Sequence, residues 1–213
     1  MEGNIQGLNL IQLEQDYNQY VNLAYNLALA VQRINTRIKA LTKCWTGKRV
    51  NGIINLWNTN YPSLNEKVHY FDTKVVNDLS TIIKQYKTME GITSTTMSVP
   101  ATVELKKVAS VNNNVISFDK GQASNIIRNI SNDNNNVISY LKVLSTKLDS
   151  IQSYSDKLKA FLANYKLNCS SLQKTITSIC STINDEAKKA LNDVITTETY
   201  NELDAKKASS KKI

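Results

Sequence analysis

Residues 10–45 read LIQLEQDYNQYVNLAYNLALAVQRINTRIKALTKCW, and apolar side chains recur in this stretch every seven residues in two registers. A heptad pattern sustained over about five repeats is typical of a helix that packs lengthwise against another long helix. The stretch therefore predicts one long amphipathic helix. The first register holds Leu10, Tyr17, Ala24, Val31, Ile38 and Trp45, and the second holds Leu13, Tyr20, Leu27, Ile34 and Leu41.

A second helix is predicted to return antiparallel to the first. The first should end near Gly47, because glycine readily takes the positive φ that ends a helix. After a short segment, Pro62 suits the first turn of a new or bent helix. The apolar residues of that helix are spaced by three and four: Leu64, Val68, Phe71, Val75, Leu79, Ile82, Tyr86 and Met89.

The second half of the chain repeats the pattern more loosely and predicts two further long helices. One stripe holds Ile130, Val137, Leu141, Leu144, Leu148, Ile151 and Leu158, and a later one holds Leu172, Ile176, Ile179, Ile183, Ala190 and Val194. The polar run from Asn132 to Asn136 is expected to delay or kink the first of these helices.

The middle of the chain has a different composition and indicates a linker. Residues 91–103 are uncharged and rich in Ser and Thr, and the run Asn112 to Asn114 is compatible with the turn of a small β-hairpin. The predicted fold class is all-α, with long antiparallel helical hairpins forming an elongated bundle. Its segments are a hairpin over residues 1–91, a linker over 92–119, a second hairpin over 120–204 and a disordered basic tail over 205–213.

Composition supports helices and argues against several functions. Only 6 Gly and 2 Pro occur, and the net charge of +8 comes from scattered Lys and Arg, so nucleic-acid binding is not expected. The 26 Asn are interpreted as a bias of the gene's base composition rather than as chemistry. The three cysteines, Cys44, Cys169 and Cys180, lack disulfide or metal-ligand spacing and are expected to be reduced.

The sequence contains no recognisable motif for catalysis or for classical export. The single histidine, His69, has no nucleophile or metal-ligand cluster at motif spacing, so we expect no enzyme, no cofactor and no metal. The sequence begins without a basic region followed by an apolar one, so no cleaved signal peptide is expected. The segment from Tyr17 to Gln32 is too short and polar for a membrane-spanning helix.

Two motifs carry a resemblance to a known family. Trp45-Thr46-Gly47 stands where the first seam ends, and Tyr86-Lys87-Thr88-Met89-Glu90 stands where the second helix ends. Over about residues 5–91 the chain resembles the Trp-x-Gly family of type VII secretion substrates, which are helical hairpins with these motifs at the bend and after the second helix. A second copy, Tyr200 to Asp204, follows the last predicted helix, where the family's export signal would lie.

The resemblance implies a secreted, virulence-associated, non-enzymatic protein that leaves the cell without a cleaved signal peptide. Its partners would be a like or related hairpin, which completes a four-helix bundle, and the secretion ATPase. The second half would be a diverged hairpin, with Tyr154-Ser155-Asp156 opposite the bend motif. Alternatives are a membrane-active helical toxin that inserts residues 91–103, although membrane contact is not favoured, and a cytoplasmic coiled-coil adaptor.

Each motif also has a purely structural interpretation. Trp45 would cap the end of the hairpin core, and Gly47 would serve the backbone of the bend. Tyr86 and Glu90 lie one helical turn apart and could face a receptor together, but Tyr86 also fits the apolar seam. Tyr200 and Asp204 are less tied to a core stripe.

Overall fold

The computed structural model describes residues 10–92, 102–114, 117–153, 159 and 165–210. It has five α-helices and two two-residue strands within these ranges: α1 (Leu10–Leu41), β1 (Trp45–Thr46), α2 (Lys48–His69), α3 (Val76–Met89), β2 (Ser117–Phe118), α4 (Lys120–Gln152) and α5 (Tyr165–Ser210). A π-helical turn, Tyr70–Val75, joins α2 to α3 without a break. The predicted all-α class is confirmed.

The helices form a four-membered bundle in which each neighbour runs antiparallel. α1 packs against α4 on one side and against α2 and α3 on the other, and α5 packs against α4 and α2. One hydrophobic core contains residues from every helix, so both halves of the chain share it. Neighbouring helices are also joined by ion pairs, Asp16–Lys147 at 2.9 Å between α1 and α4, and Glu14–Lys87 between α1 and α3.

The predicted seam of α1 is confirmed. All of its α1 residues are buried except Leu10, which is half-buried. A third register, Val21, Ala28 and Asn35, is buried as well, because α1 faces helices on two sides instead of one. Each fully buried Leu or Ile contributes about 1.5–3 kcal/mol, so this broad face is a main source of stability.

The prediction that a new or bent helix begins at Pro62 is wrong. α2 starts directly after Gly47, and Pro62 lies inside it with its ring exposed. Proline in a helix interior removes one backbone hydrogen bond. Trp57 and Leu64, on either side of it, are fully buried, and this packing holds the helix through the proline.

The seam predicted for the second helix is correct up to Leu79. Beyond it, Ile82 is half-buried against the core, and the prediction is wrong at Met89. The buried side chains after the π-helical turn include Val76, Leu79, Ile83 and Lys87, whereas Met89 is 74% exposed. A π-helical turn adds a residue to the helix, so it rotates the face that follows. Tyr20 donates a hydrogen bond to the carbonyl of Phe71 within the turn, at 3.1 Å.

The predicted β-hairpin is wrong. β2 pairs antiparallel with β1, with Trp45 opposite Phe118, rather than with residues 102–111. Residues 102–111, which we call the strap, lie extended on the bundle, and Val103, Leu105 and Val108 are buried. Asparagine side chains of α1 and α2 bind the backbone of the strap and take the place of a partner strand.

Two expectations for the second half also fail. Helix α4 is not delayed by its polar run, since it begins at Lys120 with Asp119 as its N-cap and includes the whole run. Asp133, in that run, is buried and pairs with two arginines of α1. The expected disordered tail from residue 205 is helical through Ser210, while 211–213 lie outside the described residues. Leu158 and Tyr154-Ser155-Asp156 also lie outside them.

Buried acids of high pKa predict that the fold is sensitive to alkali. Burial raises the pKa of the Cys180 thiol to about 12, and the nearby Asp133 carboxylate adds to this shift. Burial likewise raises the pKa of Cys169 to about 11 and that of Tyr20 well above its ordinary value. All three cysteines are free.

When the pKa of a group is higher in the folded protein than in the unfolded chain, the group stabilises the fold fully at pH values below its pKa in the unfolded chain. This stability is lost as the pH rises through the pKa of the folded protein. We therefore expect the melting temperature to fall progressively above about pH 9, where free thiols begin to ionise. Thermal unfolding followed by circular dichroism between neutral pH and pH 11 tests this. A Cys180→Ala variant should fall less steeply, and an unchanged melting temperature for the wild type would contradict the expectation.

Candidate functional site

The bend between α1 and α2 contains the Trp-x-Gly motif and depends on its glycine. Gly47 has φ 107° and ψ −172°, a backbone conformation that residues with a Cβ rarely adopt. This conformation allows α2 to begin at the next residue, and the Gly47 carbonyl accepts a hydrogen bond from the amide of Asn51 at 3.3 Å. The expected backbone role of Gly47 is thus present in the structure.

Trp45 is covered by the chain's own second half. Its side chain is 2% exposed, and its ring meets that of Phe118 edge-on with 5.1 Å between centroids. Next to it, the hydroxyls of Thr46 and Ser117 lie 2.9 Å apart, and the Asp119 amide donates to the Cys44 carbonyl at 2.8 Å. The tryptophan therefore closes this end of the core and offers little surface to a partner.

Replacing Gly47 with alanine is expected to lower the free energy of unfolding by about 1–3 kcal/mol, the usual cost of a residue held in a glycine-only conformation. Gly52 provides the matched control, because it lies in α2 with open space around the position of a Cβ. Gly52→Ala should raise stability by about 0.5–1 kcal/mol through helix propensity. Urea denaturation of both variants measures the difference, and equal effects would contradict the assignment.

Tyr86 and Glu90 lie on the surface at the end of α3. Tyr86 is half-buried and Glu90 is exposed, since the π-helical turn rotates this part of the helix. Gly91, at φ 68°, ends the helix. Its amide donates a hydrogen bond to the Thr88 carbonyl at 3.2 Å, and the amide of the following residue, Ile92, donates one to the Lys87 carbonyl at 2.9 Å. The alternative that Tyr86 continues the core seam is wrong.

Tyr200 and Asp204 lie in the last part of α5. Arg49, the second residue of α2, pairs with Glu186 at 3.2 Å and with Asp193 at 2.8 Å, so Asp193 is level with the bend. These hydrogen bonds raise the pKa of the Arg49 guanidinium. Helix α5 continues from there to Ser210, a length of about 25 Å at 1.5 Å per residue.

The two Tyr-x-x-x-acid motifs are not brought together. Lys87, between Tyr86 and Glu90, pairs with Glu14 near the start of α1, which marks one end of the bundle. Residues 200–204 follow the Arg49–Asp193 contact, which marks the other end. The bend motif and the second Tyr-x-x-x-acid motif thus lie toward the same end of the bundle, and the first Tyr-x-x-x-acid motif lies at the opposite end.

No arrangement suited to catalysis is seen in the described part of the chain. His69 is half-buried, and its Nδ1 lies 3.4 Å from a carboxylate oxygen of Asp72 one turn further along. Among the described residues, no group of three or more His, Cys, Asp or Glu could hold a metal ion. None of the described helices combines the length and apolarity needed to cross a membrane.

Sequence reasoning missed the asparagines that bind the strap. Asn51, Asn58 and Asn65 recur every seven residues on α2, next to the buried Val50, Trp57 and Leu64. That spacing was the available signal, and the interpretation of asparagine as base-composition bias is wrong at these positions. Comparisons of the chain with protein-family models, with curated proteins and with solved structures found no match.

Proposed function

We propose that this chain is a non-enzymatic protein that a type VII secretion system exports as a folded four-helix bundle, with Tyr200 and Asp204 as its export signal. The observation that supports this most is the length of α5, which continues past Asp193 and includes both residues. A helix that continues past the level of the bend offers a binding element to a secretion ATPase.

The same architecture bears on the protein partners. In a single hairpin the seams of α1 and α2 would be free to bind a second hairpin. Here α4 and α5 cover those seams within one chain. We therefore propose that the chain needs no further hairpin to travel, and that its partner in export is the secretion ATPase at the α5 end.

The pair formed by the half-buried Tyr86 and the exposed Glu90 is the natural internal comparison. It has the same spacing as Tyr200 and Asp204 but lies at the opposite end of the bundle, where α3 ends directly after it. If recognition requires a helix that continues well past the bend, the C-terminal pair is the signal. The first copy then contributes little to export.

Export should be compared in culture supernatants of the source bacterium with and without its type VII ATPase. We expect release of the wild type to require the ATPase, and Tyr200→Ala/Asp204→Ala to stay in the cell. Asn201→Ala, in the same helical turn, and Tyr86→Ala/Glu90→Ala should be released normally. ATPase-independent release would overturn the proposal. Normal release of the Tyr200 and Asp204 variant would refute the signal assignment and favour an adaptor role.

A further inference from the structure

Two arginines of α1 share one buried carboxylate of α4 at the surface of the bundle. The Arg33 Nε lies 2.9 Å from one carboxylate oxygen of Asp133, and the Arg37 Nε lies 2.5 Å from the other. The Asp133 side chain is buried, whereas the side chains of both arginines are partly exposed. The carboxylate therefore holds the two guanidinium groups close together, and each retains access to solvent.

Most of the hydrogen-bond donors in this cluster are not used by the protein. A guanidinium group carries N–H donors on Nε and on both Nη atoms, and Asp133 accepts only from the Nε of each arginine. Within the part of the chain that the structure describes, neither arginine has another hydrogen-bond partner. The Nη donors of Arg33 and Arg37 are thus available to a ligand.

The cluster also carries a positive charge that α1 and α4 do not neutralise nearby. Two guanidinium groups and one carboxylate give it a net charge of +1. Residues 17–32 of α1 contain no charged side chain, and Asp133 is the only charged residue within 129–140 of α4. The charged residues that flank this stretch of α4 are Arg128 and Lys142, both basic. An anion is therefore the ligand that this surface favours.

Arg49 provides the contrast within the same protein. Its Nε, Nη1 and Nη2 atoms all donate to carboxylate oxygens of Glu186 and Asp193. Two carboxylates thus occupy the donors of one guanidinium group. At Asp133 the ratio is reversed, since one carboxylate serves two guanidinium groups and leaves most of their donors for an additional anion.

We propose that Arg33 and Arg37 form a binding site for the phosphate group of a phosphate monoester, and that Asp133 is the residue that positions them. Guanidinium groups match phosphate oxygens with paired hydrogen bonds. A phosphate monoester offers three acceptor oxygens and a charge of about −1.5 to −2 near neutral pH. It can therefore engage both arginines more fully than a second carboxylate, which has fewer oxygens and less charge. The inference goes beyond export and does not depend on it.

Side-chain nuclear magnetic resonance tests the site residue by residue, because the chain has only four arginines. Titrating the isotope-labelled wild type with inorganic phosphate at constant ionic strength should shift the Nε–H signals of Arg33 and Arg37 saturably. The signals of Arg49 and Arg128 should stay in place. Arg128, whose Nη2 donates to Asn125, shows whether a single partly exposed arginine suffices. Similar shifts for all four arginines, or no saturable shift, would overturn the proposal.

Variants separate recognition by guanidinium groups from attraction by charge alone. Arg33→Lys/Arg37→Lys retains both charges but loses the paired donors, so the affinity for phosphate should fall about tenfold or more. Lys39→Ala removes one charge from an exposed position of the same helix and should leave the affinity unchanged. An equal affinity for the wild type and the double lysine variant would contradict recognition by guanidinium groups.

The positioning role of Asp133 has its own test. Asp133→Asn makes the cluster more positive, which by charge alone would strengthen phosphate binding. If the carboxylate positions the arginines, the affinity should instead fall, whereas a rise would refute this role. Where the double lysine variant does not unfold cooperatively, Arg33→Ala/Arg37→Ala/Asp133→Asn replaces it, because it removes the site without leaving a buried charge unpaired.

Soluble esters and lipid headgroups present the same phosphate group, so two probes distinguish the sources. Saturable binding of phosphoethanolamine identifies a soluble ester. Co-sedimentation with phosphatidylcholine vesicles that contain phosphatidic acid, lost in the double lysine variant, identifies a lipid headgroup. Either result supports the proposal. Co-sedimentation that this variant retains, together with no binding of phosphoethanolamine, would reflect the general basic charge of the chain and overturn it.

Discussion

Replacing Trp57 with alanine is expected to lower the free energy of unfolding by about 3–5 kcal/mol, the usual loss for a large aromatic side chain removed from a core. Trp57 is fully buried, and its indole N–H donates to the carbonyl of Lys106 at 3.0 Å. It thus contributes both to the helical core and to the strap. The loss should appear as a lower urea midpoint.

Trp57→Phe separates the two contributions. Phenylalanine retains most of the buried ring but cannot donate the hydrogen bond, and Asn35 still donates to the same Lys106 carbonyl at 2.9 Å. The cost should therefore fall to about 1–2 kcal/mol. Hydrogen exchange of the Val108 amide, which donates to Asn58, should quicken more in the alanine variant. A loss below about 1.5 kcal/mol for Trp57→Ala would contradict its place in the core.

The parts of the fold that follow from local periodicity were predictable. The heptads of α1 and the stripes of α4 and α5 correspond to buried side chains at nearly every described position. Periodicity reports which face of one helix is apolar, and a regular helix keeps that face along its length. It fails at Tyr86 and Met89 because the π-helical turn rotates the face, and no spacing in the sequence marks that turn.

The strap was not predictable for a different reason. Its bonds join side chains of α2 to backbone groups 40–60 residues away, and backbone groups are the same at every position. No complementary side-chain pattern identifies the partner. The heptad spacing of Asn51, Asn58 and Asn65 indicated a polar stripe beside the core, but only the fold shows what lies against it.

The candidate site, too, was predictable only in the part that depends on local sequence. The position of Trp45 and Gly47 at the bend follows from where the seam ends, and the structure places both there. The cover over Trp45 comes from Phe118, which is distant in sequence. Consequently the bend motif stabilises the contact between the two halves of the chain.

A second large effect is expected at the centre of the interface between α1 and α4. Arg33 and Arg37, one turn apart on α1, place their Nε atoms 2.9 and 2.5 Å from the two carboxylate oxygens of Asp133. The Asp133 side chain is 5% exposed, whereas those of the arginines are 42% and 31% exposed. The carboxylate therefore depends on this pairing far more than the guanidinium groups do.

Removing both arginines should cost about 3–5 kcal/mol, because it leaves a buried charge without a partner. Asp133→Asn should cost less, about 1–2 kcal/mol, since both arginines can reach water and the amide can still accept hydrogen bonds. The informative variant is Arg33→Ala/Arg37→Ala/Asp133→Asn, which should recover much of the loss by removing the unpaired charge. Urea denaturation of the three variants gives their order. If the triple variant were no more stable than the double, the loss would come from the arginine stems packed on the bundle rather than from the stranded carboxylate.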